Sequence, residues 1–460
     1  MARRARGRNE LLERLVEAAG ISHRRLAARV NELGAGGGVN LRYEHTSVNN
    51  WVVRGMIPRE PVPPLIAAAL AEHLGRPVEL HEIGMGRGTD GRVDVGLDFP
   101  RDTATAVRTA ATHWRTVDRR FFLTAQGAFT VGAFTSPVTR WTAVPADPPY
   151  AHHGGGRRVG RADIAELWQA AEEARRWDSR YGGGNWKTSS VTECLRLRAA
   201  PMLTGTYSAP VGRELFAATA ELSRTVGWAC FDAGQHAAAQ RHLVQALRLA
   251  RAAGDIETGC YVLTTMSLAT YLRGHPEQAA DMAEAAHERG KNHAAPRVLG
   301  FAKLAQARAH ARAGHRAEAG AALSAAERHL EAIRPGTHDP EQLAYFGYER
   351  LATDAVEIHR DLRNPDEALR WSEEAAPMSA DRFTRAVGIR KAVLATAHLQ
   401  HGDLDQGLTH AQASLDVLQD LRSPRAHGYL RDGLRALAPW RKEQRVADFV
   451  HDARSRLSVA

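Results

Sequence analysis

The chain is poor in the residues that staple small folds or hold metal ions. Its three cysteines, Cys194, Cys230 and Cys260, do not stand at the spacing of a zinc site or a redox motif. We therefore expect buried thiols in a reducing compartment. Aromatic residues make up only 6% of the chain, and Ala and Leu dominate its apolar residues. Such residues let helices pack closely, so the composition favours an all-α protein.

Long apolar runs are missing as well. The Arg-rich start, Met1 to Arg8, leads into a polar amphipathic helix without the apolar core of a signal peptide, and no run reaches membrane length. We therefore expect a cytoplasmic protein without a membrane partner. The 22 histidines show no metal-ligand spacing, and the chain contains no dinucleotide fingerprint, nucleophile elbow or kinase signature. We expect no catalytic residue, no metal and no cofactor.

From residue 161 onward the chain contains an internal repeat. The tripeptides Gly234-Gln235-His236, Gly274-His275-Pro276 and Gly314-His315-Arg316 recur every 40 residues, and similar turns start at Arg363 and Gly402. A small residue follows five positions after the start of each turn. Glycine suits the positive φ of a reversing chain, and the small residue lets the second helix pack back on the first. The spacing predicts five helical hairpins.

These hairpins resemble tetratricopeptide repeats with a lengthened period. The resemblance implies a right-handed superhelix whose first helices line a concave groove, with residues 430–457 as a polar capping hairpin. The repeat register predicts eleven ligand-binding residues in the groove: Glu221, Arg224, Trp228, Tyr261, Thr264, Tyr271, Arg308, Arg312, Arg350, Glu357 and Arg360. Arginines among aromatics suit a peptide that carries a carboxylate, although they could also pair with one another or solvate the face.

Residues 9–80 have the pattern of a small four-helix bundle. In its third helix Val48, Trp51 and Val52 form an apolar face, while Asn49 and Asn50 point away from it. Asparagine can pair with adenine through two hydrogen bonds in the major groove of DNA. We predict ten DNA-binding residues in this unit: Arg24, Arg25, Arg42, Tyr43, Thr46, Ser47, Asn49, Asn50, Arg54 and Arg59. Residues 1–60 carry eleven Arg and six acidic residues, which favours contact with a polyanion.

The bundle resembles the helix-turn-helix domain of the xenobiotic-response-element type of bacterial repressor. The residues that carry the resemblance are Leu26-Ala27, the run from Ser47 to Trp51, Gly55 and Pro58. One departure is clear, because a glycine-rich stretch of about a dozen residues, 34–45, replaces the usual tight turn between the second and third helices. The alternative is a structural bundle with solvated arginines.

The order of parts resembles an actinobacterial family of helix-turn-helix regulators with C-terminal repeats. The most recognisable stretches are 178–184, 211–216, 227–228 and 232–234. More distantly, the chain is similar to peptide-sensing regulators of Gram-positive bacteria. The resemblance to the actinobacterial family implies control of development or secondary metabolism. Three regions are predicted: a DNA-binding domain over 1–83, a partly helical linker or intermediate region over 84–160, and a repeat domain for sensing and dimerisation over 161–460.

We therefore expect a nucleoid-associated homodimer that binds double-stranded DNA and a peptide or small molecule, because helix-turn-helix proteins gain specificity from two half-sites. A protein-interaction scaffold with a degenerate N-terminal bundle is the alternative. An enzyme is a third hypothesis without a motif to support it.

Overall fold

The computed structural model describes residues 7–36, 41–59, 61–74, 78, 80, 82–85, 96–116, 129–143, 146–154, 156–184, 186–375 and 378–459. The protein is all-α, as the composition predicts. It divides into two compact units, Met1–Asp94 and Val95–Ala460. In the described part of the chain, no helix combines the length and the apolar character that a membrane span requires.

The first unit is a bundle of four helices: α1 Glu10–Ala18, α2 His23–Gly36, α3 His45–Val53 and α4 Val62–Leu74. The backbone N–H of Leu12 donates to the Asn9 side chain at 3.1 Å, which caps the start of α1. Gly20 takes a positive φ of 59° and turns the chain toward α2. Because α2 packs against both α3 and α4, it forms the centre of the bundle.

The second unit begins with helices and short strands that precede the repeats: α5 Thr103–Thr116, α6 Gly132–Ala143, β1 His152–His153, α7 Arg161–Tyr181, α8 Trp186–Cys194, a π-helical turn Leu195–Ala199, α9 Ala200–Leu203 and β2 Thr206–Tyr207. Strands β1 and β2 pair antiparallel, with His152 opposite Tyr207. The pairing fixes residues 152–153 of the predicted intermediate region against a distant part of the chain. Residues 117–128 of that region lie outside the described residues.

Five hairpins follow, each made of two consecutive helices that pack against each other: α10 Ala209–Asp232 with α11 His236–Ala253, α12 Ile256–Leu272 with α13 Pro276–Gly290, α14 Pro296–Ala313 with α15 Arg316–Glu331, α16 Tyr348–Asp361 with α17 Pro365–Glu374, and α18 Ala380–His401 with α19 Leu404–Leu418. The last helices are α20 Pro424–Ala436 and α21 Gln444–Val459, separated by a 3-10 turn Ala438–Trp440, and a further 3-10 turn, Glu341–Leu343, lies between α15 and α16.

The hairpin turns have the predicted geometry. Gly234, Gly274, Gly314 and Gly402 all take positive φ. The fourth turn has Arg363 at a φ of 55°, a conformation that few non-glycine residues adopt. Ala239, which follows the first turn by five positions, is fully buried, as are its counterparts Ala279, Ala319 and Ala368. The five predicted hairpins are confirmed.

The described residues between 96 and 147 pack against the hairpins. Phe99, Trp114 and Phe134 join the core that the hairpins share. The buried Arg248 of α11 forms an ion pair with Asp147 at 2.7 Å and donates to the Pro100 carbonyl oxygen at 2.6 Å. The described part of the predicted linker therefore covers the outer side of the first hairpin.

Helix α7 connects the two ends of the row of hairpins. It packs against α10 of the first hairpin and against α18 of the fifth. The hairpins and α7 together thus surround the space between the first helices. Helix α7 ends just before Gly182, whose positive φ of 80° suits glycine.

Candidate functional site

Helix α3 presents a short polar face to solvent. Val48, Trp51 and Val52 are buried in the core of the first unit, while Asn49 is exposed and Asn50 half-buried. The Tyr43 ring meets the Trp51 ring edge-on, with 5.1 Å between centroids. The packing of its apolar side fixes which face of α3 remains outward.

The long connection before α3 is anchored to α2 by one side chain. Asn31 Nδ2 donates to the Tyr43 carbonyl oxygen at 2.9 Å, and the Tyr43 N–H donates to Asn31 Oδ1 at 2.9 Å. Residues 37–40 of this connection lie outside the described residues. Because both backbone groups of Tyr43 are bound, the segment that leads into α3 has a fixed position although the connection is long.

The ten predicted DNA-binding residues all belong to the described part of the first unit. Seven are exposed: Arg24, Arg25, Arg42, Thr46, Asn49, Arg54 and Arg59. Tyr43, Ser47 and Asn50 are half-buried. None of the five arginines in this set forms an ion pair with another described residue. Arg29 differs, since Glu72 and Glu32 bind its guanidinium at 2.7 Å each.

Comparison with known protein families adds a finding for this unit. Residues 12–86 match the SP15 N-terminal domain. The matched stretch includes most of α1 and the whole of α2, α3 and α4. This match does not test the resemblances to a helix-turn-helix and to tetratricopeptide repeats, which stay predictions. A comparison with curated proteins gave no match.

The second unit contains a cavity of about 1300 Å³. It is lined by α7 and by residues of α10, α12, α14, α16, α18 and α20. Six of the eleven predicted groove residues lie on its wall: Arg224, Trp228, Tyr261, Arg308, Arg350 and Glu357. The volume suits an organic ligand.

The other five predicted groove residues are placed behind or beside this wall: Glu221, Thr264, Tyr271, Arg312 and Arg360. Thr264 is fully buried, and its hydroxyl donates to the Cys260 carbonyl oxygen of its own helix at 2.8 Å. Tyr271 is buried as well. These side chains support the residues that line the cavity.

Most of the predicted charged residues pair with one another. Two nitrogens of Arg224 donate to the two carboxylate oxygens of Glu221 at 2.8 and 2.7 Å, while its guanidinium lies 4.0 Å from the centre of the Tyr261 ring. Arg308 of α14 binds Glu357 of α16 at 2.7 Å. The structure therefore shows mutual pairing for these side chains, which is one of the possibilities that the sequence left open.

Glu357 is the centre of this ionic cluster. The hydroxyls of Tyr271 and Tyr429 both donate to its Oε1 at 2.9 Å. Burial alone raises the pKa of a carboxyl group, but the charges of Arg308 and Arg360 outweigh it and lower the pKa of Glu357 to about 2. Glu357 is therefore ionised at neutral pH and cross-links three hairpin helices and α20.

A second buried ionic group lies where α7 meets both ends of the row. Asp178 of α7 binds Arg385 of α18, and Asp232 of α10 binds both Arg385 at 3.0 Å and Arg425 of α20 at 2.8 Å. The side-chain partner of Asp178 lies 207 residues away along the chain. Sequence spacing gives no signal for such a pair.

Sequence reasoning also missed Tyr345 and Tyr348, which line the cavity beside Arg350. A signal for them exists in the repeat spacing. The turns at Gly274 and Gly314 are 40 residues apart, whereas Gly314 and Arg363 are 49 apart. The longer spacing accommodates the connector, residues 332–347, which joins α15 to α16.

Proposed function

We propose that this chain is a DNA-binding transcriptional regulator whose second unit senses a peptide or small molecule. The outward polar face of α3 is the observation that carries the proposal. Its amide side chains Asn49 and Asn50 stand on a helix whose opposite side is fixed by Trp51. A helix of this kind fits the major groove, where asparagine reads adenine by two hydrogen bonds.

In this proposal, α2 and α3 act as a helix-turn-helix with an enlarged connection. The five arginines that have no carboxylate partner among the described residues supply the contacts to phosphates. Arg42 lies next to Tyr43, whose backbone Asn31 holds, so it approaches DNA from a fixed position. Phosphate contacts set the register of the protein on DNA, and the amides of α3 then select the sequence.

We propose that the hairpins of the second unit form a right-handed, tetratricopeptide-like superhelix and that the signal molecule binds in its cavity. A ligand changes DNA binding only if it prefers one shape of the protein over another. A homodimer would place two copies of α3 on two half-sites, so a change in shape would alter the spacing that the dimer reads. We propose no catalytic role for either unit, and we place the protein on the nucleoid in the cytoplasm.

The experiment is recovery of genomic fragments by the purified full-length protein at 50 mM and 200 mM salt. We expect a small set of enriched fragments that share two half-sites, and an affinity that falls by about 100-fold or more between the two salt concentrations if five phosphates are contacted. The scaffold alternative predicts neither result. Weak, uniform recovery of all fragments at both salt concentrations would argue for the scaffold and against the regulator.

A further inference from the structure

The connector supplies an aromatic surface to the cavity. Leu343 and Phe346 are fully buried and anchor it in the core, while Tyr345 of the connector and Tyr348, the first residue of α16, stay 42% and 44% exposed. The connector is also bound to α7, since Arg175 of α7 donates to the Gln342 carbonyl oxygen at 2.9 Å. Large aromatic side chains held open on a cavity wall are typical of ligand contacts.

Arg350 also lines the cavity, and only one nitrogen of its guanidinium donates to a described residue. Its Nε donates to Asp354 at 3.0 Å, and neither of its Nη groups donates to any residue that the structure describes. Its side chain is 30% exposed, whereas those of Arg224 and Arg308 are 5% and 9% exposed. Two N–H groups of one guanidinium plane are therefore free to bind a carboxylate side by side.

The charge balance around Arg350 points to an anion. Four arginines and three carboxylates form one connected ionic cluster: Arg308, Arg312, Arg350 and Arg360 with Asp354, Glu357 and Asp361. The cluster thus carries one positive charge in excess. Asp354 is shared between Arg350 and Arg308, so Arg350, the more exposed of the two, is where an added negative charge is best accommodated.

We propose that the cavity binds an aromatic organic anion, with its carboxylate on Arg350 and its ring against Tyr345. Both residues line the cavity, and the Phe301 ring meets the Tyr345 ring edge-on, with 6.2 Å between centroids. The Tyr345 hydroxyl lies 3.4 Å from that of Tyr261. This inference rests on the sensing half of the proposed function and names the class of its ligand.

The test uses three probes with the full-length protein: indole-3-acetate, the neutral indole-3-acetamide, and acetate, which lacks the ring. Saturation-transfer NMR and calorimetry measure their binding. A ligand of this size is expected to bind with a dissociation constant of about 1 mM or tighter. We expect indole-3-acetate to bind saturably and both other probes to bind at least tenfold more weakly.

Variants locate the site. Arg350→Gln is expected to weaken indole-3-acetate binding about tenfold or more, because a charge-assisted pair is lost. Tyr345→Ala, which leaves the ionic cluster intact, is expected to weaken it about fivefold. Arg328→Gln on the outer α15 is the matched control and should bind like the wild type.

Three results would overturn the assignment: no saturable binding of indole-3-acetate, equal binding of the amide or of acetate, or unchanged binding in both cavity variants. DNA binding is not read in this experiment. Its failure would therefore leave the DNA-binding half of the proposed function intact, and a protein that ignores DNA would leave the ligand result standing.

Discussion

Asp178 and Arg385 form a two-point ion pair between α7 and α18, although the two residues are 207 positions apart along the chain. The two oxygens of Asp178 accept from the two Nη groups of Arg385 at 2.9 and 2.6 Å, and both residues are buried. Asp232 shares the same guanidinium. The pair fastens α7 to the fifth hairpin, and both elements line the cavity.

Removal of the Asp178 charge should therefore destabilise the second unit. We expect Asp178→Asn to lower the free energy of unfolding by about 3 kcal/mol, because Arg385 loses a buried partner and keeps only part of its compensation in Asp232. Urea unfolding followed by circular dichroism measures the change.

The control is Glu367→Gln, which breaks the solvent-exposed pair between Glu367 and Arg370. It should change stability by less than about 1 kcal/mol, since exposed ion pairs contribute little. Equal effects of the two substitutions on the free energy of unfolding would mean that the buried Asp178 pair stabilises the second unit no more than an exposed ion pair does.

Asn31 should position the segment that precedes α3. We expect Asn31→Ala to cost about 2 kcal/mol, because two hydrogen bonds to the Tyr43 backbone disappear together. Amide hydrogen exchange at Tyr43 should become faster, while the exchange of Val30 in α2 should change less. Asn49→Ala, an exposed substitution in the same unit, should leave stability within about 0.5 kcal/mol of the wild type. An unchanged exchange rate at Tyr43 in Asn31→Ala would contradict this anchoring role.

The fold was largely predictable where its chemistry is local. Gly314 has a positive φ and Ala319 is buried, because a hairpin turn requires a residue of each kind. Both requirements concern residues only five positions apart, so the sequence pattern reveals them. The faces of α3 follow for the same reason, since Trp51 and Asn49 differ by a fixed rotation around one helix.

The rest depends on contacts between distant residues. The ion pair between Asp178 and Arg385 cannot be inferred from spacing, and neither could the closure of the hairpins by α7. The repeat register predicts Arg308 and Glu357 in the groove and leaves open whether they contact a ligand or pair with each other; in the structure they bind each other at 2.7 Å. Opposite charges on adjacent helices that face one enclosed space pair with each other unless a ligand competes.

Stability should fall in mild acid because of a buried histidine. His242 is fully buried, neither ring nitrogen has a hydrogen-bond partner among the described residues, and its ring meets that of His113 at 5.0 Å. Burial, with Arg241 adding to it, lowers the pKa of His242 to about 4. Since the unfolded chain then binds the proton more tightly, the stability is complete above pH 6.5 and declines as the pH falls toward 4.

The expected loss from His242 is roughly 3 kcal/mol between about pH 6.5 and 4. Unfolding titrations at about pH 7.5, 6, 5 and 4.5 measure it across that window. His242→Gln should flatten the decline, whereas the exposed His451→Gln should not. An identical pH profile in the wild type and in His242→Gln would show that this histidine does not limit acid stability.

The proposed function requires the outward face of α3 to read DNA sequence. The most direct measurement compares the affinities of the wild type, Asn50→Ala and Asn292→Ala, an exposed control in the second unit, for an enriched genomic site and for a scrambled duplex. We predict that Asn50→Ala loses about 1–3 kcal/mol of binding to the enriched site and almost nothing on the scrambled duplex, while Asn292→Ala changes neither. Equal loss on both duplexes, or no loss on either, would contradict the claim.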